Sequence, residues 1–306
     1  MKDAMVLRNG LAPYIYTAVR AAYDSGVGLL RPMYYSNPEE DDAYKFSASQ
    51  YLFGEDMLIA PITEAGSAPV NGTVSKSVWL PAGSWTDFYG EKILVGPTVH
   101  TADYTQADVP VFVRAGAVVP MKTMASVASP SPDPLVWLLF PAVSSPDGAN
   151  SGEMYEDDGE TTAAKAEAPG SGGHSAVTSV TWSGGCSTGD RLELSITTRG
   201  SHTAMVAARR HALQLRGCKL PPRTATVNGA VIAAAEEAQT TTSLAAASVG
   251  DAPIVEPTGE LGWSLQPAPT DSLHDRSLVS GAAALHVGLG EHPTAGGAAV
   301  TVVLEF

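Results

Sequence analysis

Carboxylates have the most obvious capacity for chemistry in this chain, because two of them at the right separation can act as acid and base. They cluster twice, as Glu39-Glu40-Asp41-Asp42 and as Glu156-Asp157-Asp158-Gly159-Glu160. The first run reads as a polar turn or a helix N-terminus, where negative charge meets free backbone N–H groups. The second invites a calcium reading but lacks the alternating Asp-x-Asp-x-Asp-Gly spacing, and an Asp/Gly turn accounts for it. The seven histidines (His100, His174, His202, His211, His274, His286 and His292) are scattered without His-Glu-x-x-His or His–Cys spacing, so no metal site is expected. Gly173-His174-Ser175-Ala176-Val177 opens like a nucleophile elbow but lacks the closing glycine. No glycine-rich segment continues into Lys-Ser or Lys-Thr, so no phosphate loop and no cofactor is expected. Trp79, Trp85, Trp137, Trp182 and Trp263 could stack on sugars, yet four lie in or beside predicted strands, which favours a core role.

The net charge of −14 argues against a nucleic-acid partner, because phosphate binding needs clustered Lys and Arg. Hydrophobic residues make up 44% of 306 residues and charged ones 16%, a balance that supports packed cores in two or three domains. Cys186 and Cys218 could form one disulfide or remain buried thiols, and free thiols are favoured. No apolar run reaches 18 residues, so no membrane span is expected. The start, MKDAMVLRNG, shows no basic-then-apolar signal pattern. Asn71-Gly72-Thr73 fits a glycosylation sequon, and the compartment stays open.

The elements that would position these residues change character along the chain. Leu7, Leu11, Tyr14, Ile15, Ala18, Val19 and Ala22 recur at helical spacing, which predicts an amphipathic helix over 4–24 with a kink at Pro13. Val27–Tyr35 is apolar on both sides and reads as a buried strand of a parallel sheet. A short helix over Ala43–Phe53 and a strand over Met57–Ile62 follow. Short apolar runs then alternate with turn residues: Ser77–Leu80, Thr86–Tyr89, Val109–Arg114 and Ala117–Pro120. After the loop-like TMASVASPSPDP, a second β series runs from Leu135–Phe140 through Ser179–Trp182, Arg191–Thr197, Ala212–Leu215, Ala225–Ile232 and Ala284–Val287 to Ala299–Phe306. Ala163–Ser175 and Ala233–Glu260 read as long mobile loops.

Four phrases in order carry a resemblance: GLLRPMYYSNPEEDDAYKFSASQYLFGEDMLIAPI (28–62), VWLPAGSWTDFYG (78–90), VPVFVRAGAVVP (109–120) and MYEDDGET (154–161). Together they resemble the C-terminal part of glycoside hydrolase family 31, of the α-glucosidase and α-xylosidase type. The resemblance implies a mainly β chain: two consecutive antiparallel β-sandwich domains preceded by the last helix and strand of a (β/α)8 barrel. Residues 1–56 would be the barrel's end, 57–124 a proximal sandwich, 125–132 a linker and 133–306 a distal sandwich. Such enzymes are retaining glycosidases that use two carboxyl groups, which in the family are aspartates on earlier barrel strands. No Trp-x-Asp-Met-Asn-type phrase occurs here, and a barrel needs about 250 residues, so no catalytic residue is carried over and the chain alone is expected to be inactive. An α-linked oligosaccharide would be met through the barrel. The nearest approach to its mouth would be Met33, Tyr34, Tyr35 and Ser36. A non-catalytic sandwich that binds carbohydrate or protein is the alternative. Without a barrel, the apolar residues over 4–35 would be poorly protected or drive association.

Overall fold

The computed structural model describes residues 2–63, 72–90, 92–105, 108–123, 131–141, 150–218, 222–231, 262–265, 285–293 and 299–306. The expected helix is two helices, α1 (Lys2–Gly10) and α2 (Ala12–Ser25). Pro13 lies in the first turn of α2, where its missing N–H is no loss, so it starts a helix instead of kinking one. Gly26 ends α2 in the left-handed conformation, φ 76°, with its N–H on the Ala22 carbonyl.

The buried parallel strand expected over 27–35 is not formed. Only β1 (Leu30–Arg31) is extended, Met33–Tyr35 is a 3-10 turn, and Leu30 is 63% exposed. After α3 (Asp41–Lys45), β2 (Tyr51–Phe53) pairs antiparallel with β1 and with β3 (Met57–Ile59). The helix expected over Ala43–Phe53 therefore stops at Lys45, and after a turn its last three residues are strand. The apolar run at 27–35 signals contact on both faces, and the described residues supply a partner on one edge only.

β4 (Thr73–Asp87) joins the two short runs expected at 77–80 and 86–89 into one long strand. It pairs with β5 (Ile93–Thr105) through a bulge between Leu80 and Gly83. Gly96 faces that bulge, and a Cβ there would sit 1.9 Å from the Pro81 carbonyl oxygen, so the position excludes side chains. β6 (Val111–Arg114) lies between β3 and β4 and completes a six-stranded sheet, ordered β1-β2-β3-β6-β4-β5.

β7 (Val118–Lys122) leaves that sheet and pairs with β8 (Leu135–Leu139), so ladder bonds cross the segment expected as a linker, most of which lies outside the described residues. β9 (Ser151–Asp157), β10 (Ser175–Gly184) and β11 (Arg191–Ser201) form an antiparallel meander. β12 (Ala208–Leu215) runs parallel to β8. β13 (Thr224–Val227) and β14 (Ala230–Val231) make a hairpin around Asn228-Gly229, both at positive φ as a tight hairpin turn needs. β15 (Gly262–Leu265), β16 (Leu285–Pro293) and β17 (Val300–Glu305) complete sheets ordered β14-β13-β17-β11-β10-β9 and β15-β16-β12-β8-β7.

Alternation along β8 explains how these layers stack. Leu135, Trp137 and Leu139 enter a core with Val180, Leu192, Leu194 and Val302 of the facing sheet. Val136 and Leu138 enter another with Met57, Val111 and Val113 of the first sheet, Leu11 at the N-cap of α2 and Tyr14 within it. A strand covered on both faces reads as a continuous apolar run, as LVWLLF does. The fold is thus mainly β, with largely antiparallel sheets, and among the described residues the α-helices lie in the N-terminal quarter. The helices are not stranded: Leu11 and Tyr14 are buried, and Leu7 and Ile15 pack beside them. What stays exposed is the opposite side: Met5, Val19 and Tyr23.

The preference for free thiols is overturned. Cys186 and Cys218 form a disulfide, with the Cα atoms 5.7 Å apart. It ties the turn after β10 to the end of β12, a pairing that only the face-to-face packing of two sheets could reveal. Ala163–Ser175, expected as a mobile loop, holds a 3-10 turn at Ala163–Ala166 and is bonded to α2. Asn71, the segment 233–260 and the Trp263 side chain lie outside the described residues. Trp79, Trp85, Trp137 and Trp182 are core residues, as the strand pattern implies.

Candidate functional site

Met33, Tyr34, Tyr35 and Ser36 do not act as a group. Met33 is fully buried in a core with Ala43, Leu52, Trp79 and Phe112, so it anchors the turn rather than facing a ligand. Tyr34, Tyr35 and Ser36 face solvent. Pro32 sets the extended entry (φ −60°, ψ 151°) that places Met33 inward and the two tyrosines outward.

Tyr44 joins them. It lies on α3, whose Asp41 and Asp42 occupy the first turn, where acids are favoured. Ala43 is buried beside Met33, so turn and helix share one anchor. The rings of Tyr34 and Tyr44 stack with centroids 5.1 Å apart and planes 5° apart, and Tyr35 leans on Tyr34 at 5.6 Å. The Tyr44 hydroxyl donates to the Pro38 carbonyl at 3.0 Å, and Asn37 Nδ2 donates to the Met33 carbonyl at 3.2 Å. Sequence reasoning missed Tyr44 because it follows an acidic run that reads as a solvated turn. A tyrosine directly after a buried-sized alanine was the available signal.

α2 links this region to the far sheet. Arg20 Nη1 donates to the Ala164 carbonyl at 2.8 Å and to the Tyr155 hydroxyl at 3.1 Å, and Nη2 donates to the Glu167 carbonyl at 2.9 Å. Its Nε donates to Asp24 at 2.9 Å, and this carboxylate chiefly raises the pKa of the guanidinium. The Tyr155 N–H donates to Thr17 Oγ1 at 2.8 Å, and the Tyr16 hydroxyl donates to Asp157 at 2.7 Å. Burial, and then the bond to Asp157, push the Tyr16 phenol well above its ordinary pKa. Tyr14 is held the same way from below. Its hydroxyl donates to the Phe53 carbonyl at 2.9 Å, and burial keeps it a neutral phenol.

The acidic cluster at 156–160 divides. Asp157 Oδ1 accepts the Gly159 N–H, and Asp158 accepts from Glu160, Thr161 N–H and Thr161 Oγ1, as in an ordinary Asx turn. Glu156 instead points into the protein. It is 2% exposed and accepts from Arg209 Nη2 at 2.8 and 2.7 Å and from Ser131 Oγ at 2.8 Å, with His202 Nε2 at 3.5 Å. Burial alone would raise its pKa, but His202, Arg209 and Ser131 together hold it below the usual carboxylate range. Two further partly buried acids are paired, Asp56 with Arg114 and Asp133 with Arg210, both at 3.2 Å. These pairings tie the acids into the packing, although at Asp56 burial outweighs Arg114 and raises the carboxyl pKa. Among the described residues no group of three or more His, Cys, Asp or Glu side chains could hold a metal ion.

Residues 26–119 match the glycosyl hydrolase family 31 C-terminal domain. A 1,6-α-glucosyltransferase of Sporosarcina globispora is 34% identical over 167 residues, which is 52% of this chain and 12% of that protein. Human neutral α-glucosidase AB is 31% identical over 165 residues, 53% of this chain and 16% of its own length. The chain thus spans under a fifth of these relatives. A Flavobacterium johnsoniae family 31 dextranase complexed with glucose superposes over 98% of this chain and 32% of its own, at TM-score 0.73 and 20% identity, which establishes the shared fold. A variant of that dextranase complexed with isomaltotriose gives the same figures. On the ordered phrases and the family match, residues 26–119 carry a glycosyl hydrolase family 31 C-terminal domain, and the chain as a whole shares its fold with the family 31 dextranase.

Proposed function

We propose that this chain is the non-catalytic C-terminal part of a retaining α-glycosidase-type enzyme, with residues 1–56 closing a catalytic barrel and the three sheets bracing it. One observation carries the reading: the N-terminal quarter is only partly covered. Leu11, Tyr14, Met33 and Ala43 are buried in cores shared with the sheets, while Met5, Val19, Tyr23 and Leu30 of the same segment are exposed. Large exposed apolar groups concentrated in one segment of a well-packed body mark a contact surface. Several apolar side chains, each worth roughly 1.5–3 kcal/mol when buried, would give that contact substantial free energy. The relatives include both glucosidases and a glucosyltransferase, so the reaction class of the whole protein is open to hydrolysis or transfer.

The purified 306-residue chain is expected to show no turnover of p-nitrophenyl α-glucoside, p-nitrophenyl α-xyloside or isomaltose, and to self-associate through residues 4–35. Turnover that disappears on changing a single Asp or Glu of this chain would overturn the reading. A second reading, a carbohydrate-binding body without chemistry, is favoured by the tyrosine cluster at 34–44.

A further inference from the structure

We infer that the Cys186–Cys218 disulfide is a redox-sensitive staple, opened by thiol attack at Cys186, whose state sets how firmly the three sheets are held at one junction. Cys186 and Cys218 are the only cysteines of the chain, and they are paired with each other. They come from sheets that share no ladder: β10 and β11 belong to the sheet that ends in β9, and β12 to the sheet that ends in β7. The staple therefore crosses a boundary that backbone pairing leaves open.

Each end of the staple holds a further element. Just before Cys218, Arg216 Nη2 donates to the Phe88 carbonyl at 2.7 Å, and its guanidinium lies 5.8 Å from the centre of the Phe88 ring. Phe88 follows β4, so this contact reaches the first sheet. The Arg216 N–H donates to the Leu139 carbonyl at 2.8 Å and extends the pairing with β8. On the other end, the turn between β10 and β11 holds Phe306 beyond β17. The Gly189 N–H donates to the Phe306 carbonyl, and the Phe306 N–H donates to the Asp190 carbonyl, both at 2.9 Å. A cut between the two sulfurs frees both ends from each other while leaving each sheet's own ladder intact.

The two sulfurs differ in what can reach them. Cys218 is 1% exposed, in the core that includes Leu213, Leu215 and Phe306. Cys186 is only partly buried against that core, in a turn whose Ser187, Thr188 and Gly189 are exposed. Disulfides are opened by a thiolate at the sulfur that is accessible to it. A thiol of the glutathione class would bond to Cys186 Sγ as the Cys186–Cys218 bond breaks, and Cys218 Sγ would leave with the electron pair and take up a proton. A second thiol then displaces Cys186 as a free thiol and joins the first as their disulfide. Two electrons thus pass from two thiols to the staple.

The test starts from the oxidised 306-residue chain in excess reduced glutathione, sampled at partial conversion, alkylated with iodoacetamide and peptide-mapped by mass spectrometry. Glutathione is expected on Cys186 and the alkyl group on Cys218, roughly tenfold or more over the reverse arrangement. Hydrogen exchange is then compared between the oxidised chain and Cys186→Ala/Cys218→Ala. The amides of Phe88, Gly189, Arg216 and Phe306 should exchange roughly tenfold or more faster in the variant, while Leu192–Ile196 keep the parent's protection and so show that the variant is folded. A bond that withstands excess glutathione for a day, or adducts shared equally between the two cysteines, would overturn the attack at Cys186. Unchanged exchange at those four amides, or a loss that extends equally to Leu192–Ile196, would overturn the local junction.

Discussion

The buried pair of Glu156 and Arg209 allows a sharp test of how the far β layer is held. Arg209 is fully buried, and its Nε and Nη1 have no hydrogen-bond partner among the described residues, so its charge is balanced chiefly through Nη2 on Glu156. Glu156→Gln keeps the shape and removes the charge. Hydrogen bonds to charged groups contribute about 1.5–3 kcal/mol each, and stripping one partner from a buried pair costs about 3–5 kcal/mol because the other charge remains. Urea unfolding followed by tryptophan fluorescence reads this directly, since Trp137 and Trp182 share the adjoining core. The double variant Glu156→Leu/Arg209→Met removes both charges and should recover most of the loss. A loss below about 1 kcal/mol for Glu156→Gln, or a double variant no better than the single one, would refute the reasoning. The pH dependence has a definite sign. Glu156 titrates lower folded than unfolded, so its contribution is complete above the ordinary carboxylate value of 4.5. It is lost as pH falls through the depressed folded value, and Glu156→Gln should abolish that acid-sensitive component.

Two further outcomes follow from the same contacts. The disulfide between Cys186 and Cys218 spans a sequence separation of 32, for which the chain-entropy estimate is about 3–4 kcal/mol; a thermal scan of Cys186→Ala/Cys218→Ala that matches the oxidised parent would contradict it. Arg20→Ala removes the side chain that bonds the Ala164 and Glu167 carbonyls and the Tyr155 hydroxyl, and should cost about 1.5–3 kcal/mol locally. Hydrogen exchange should then accelerate in 163–167 and in α2; unchanged protection there would show that α2 is held by its apolar face alone.

The sequence determined the β character, the family phrases and most strand positions, because those depend on local period and turn chemistry. Leu192-Glu193-Leu194-Ser195-Ile196 alternates as a half-buried strand should, and Asn228-Gly229 makes the hairpin turn its side chains permit. The acidic residues after Tyr155 read as a turn, and all but Glu156 form one. Glu156 could not be singled out, because its partner Arg209 is 53 residues away and arrives only through sheet packing. The disulfide, Arg20's bonds to the far sheet and Tyr44's place beside Tyr34 are likewise products of tertiary approach. The apolar run at 27–35 shows the converse: local pattern recorded a need for burial on both faces, while the described contacts supply an edge pairing with β2 alone. Period and turn chemistry act between neighbours in sequence and can be read there. Which side chains meet across layers depends on how the sheets and α2 stack, and only the folded structure decided that.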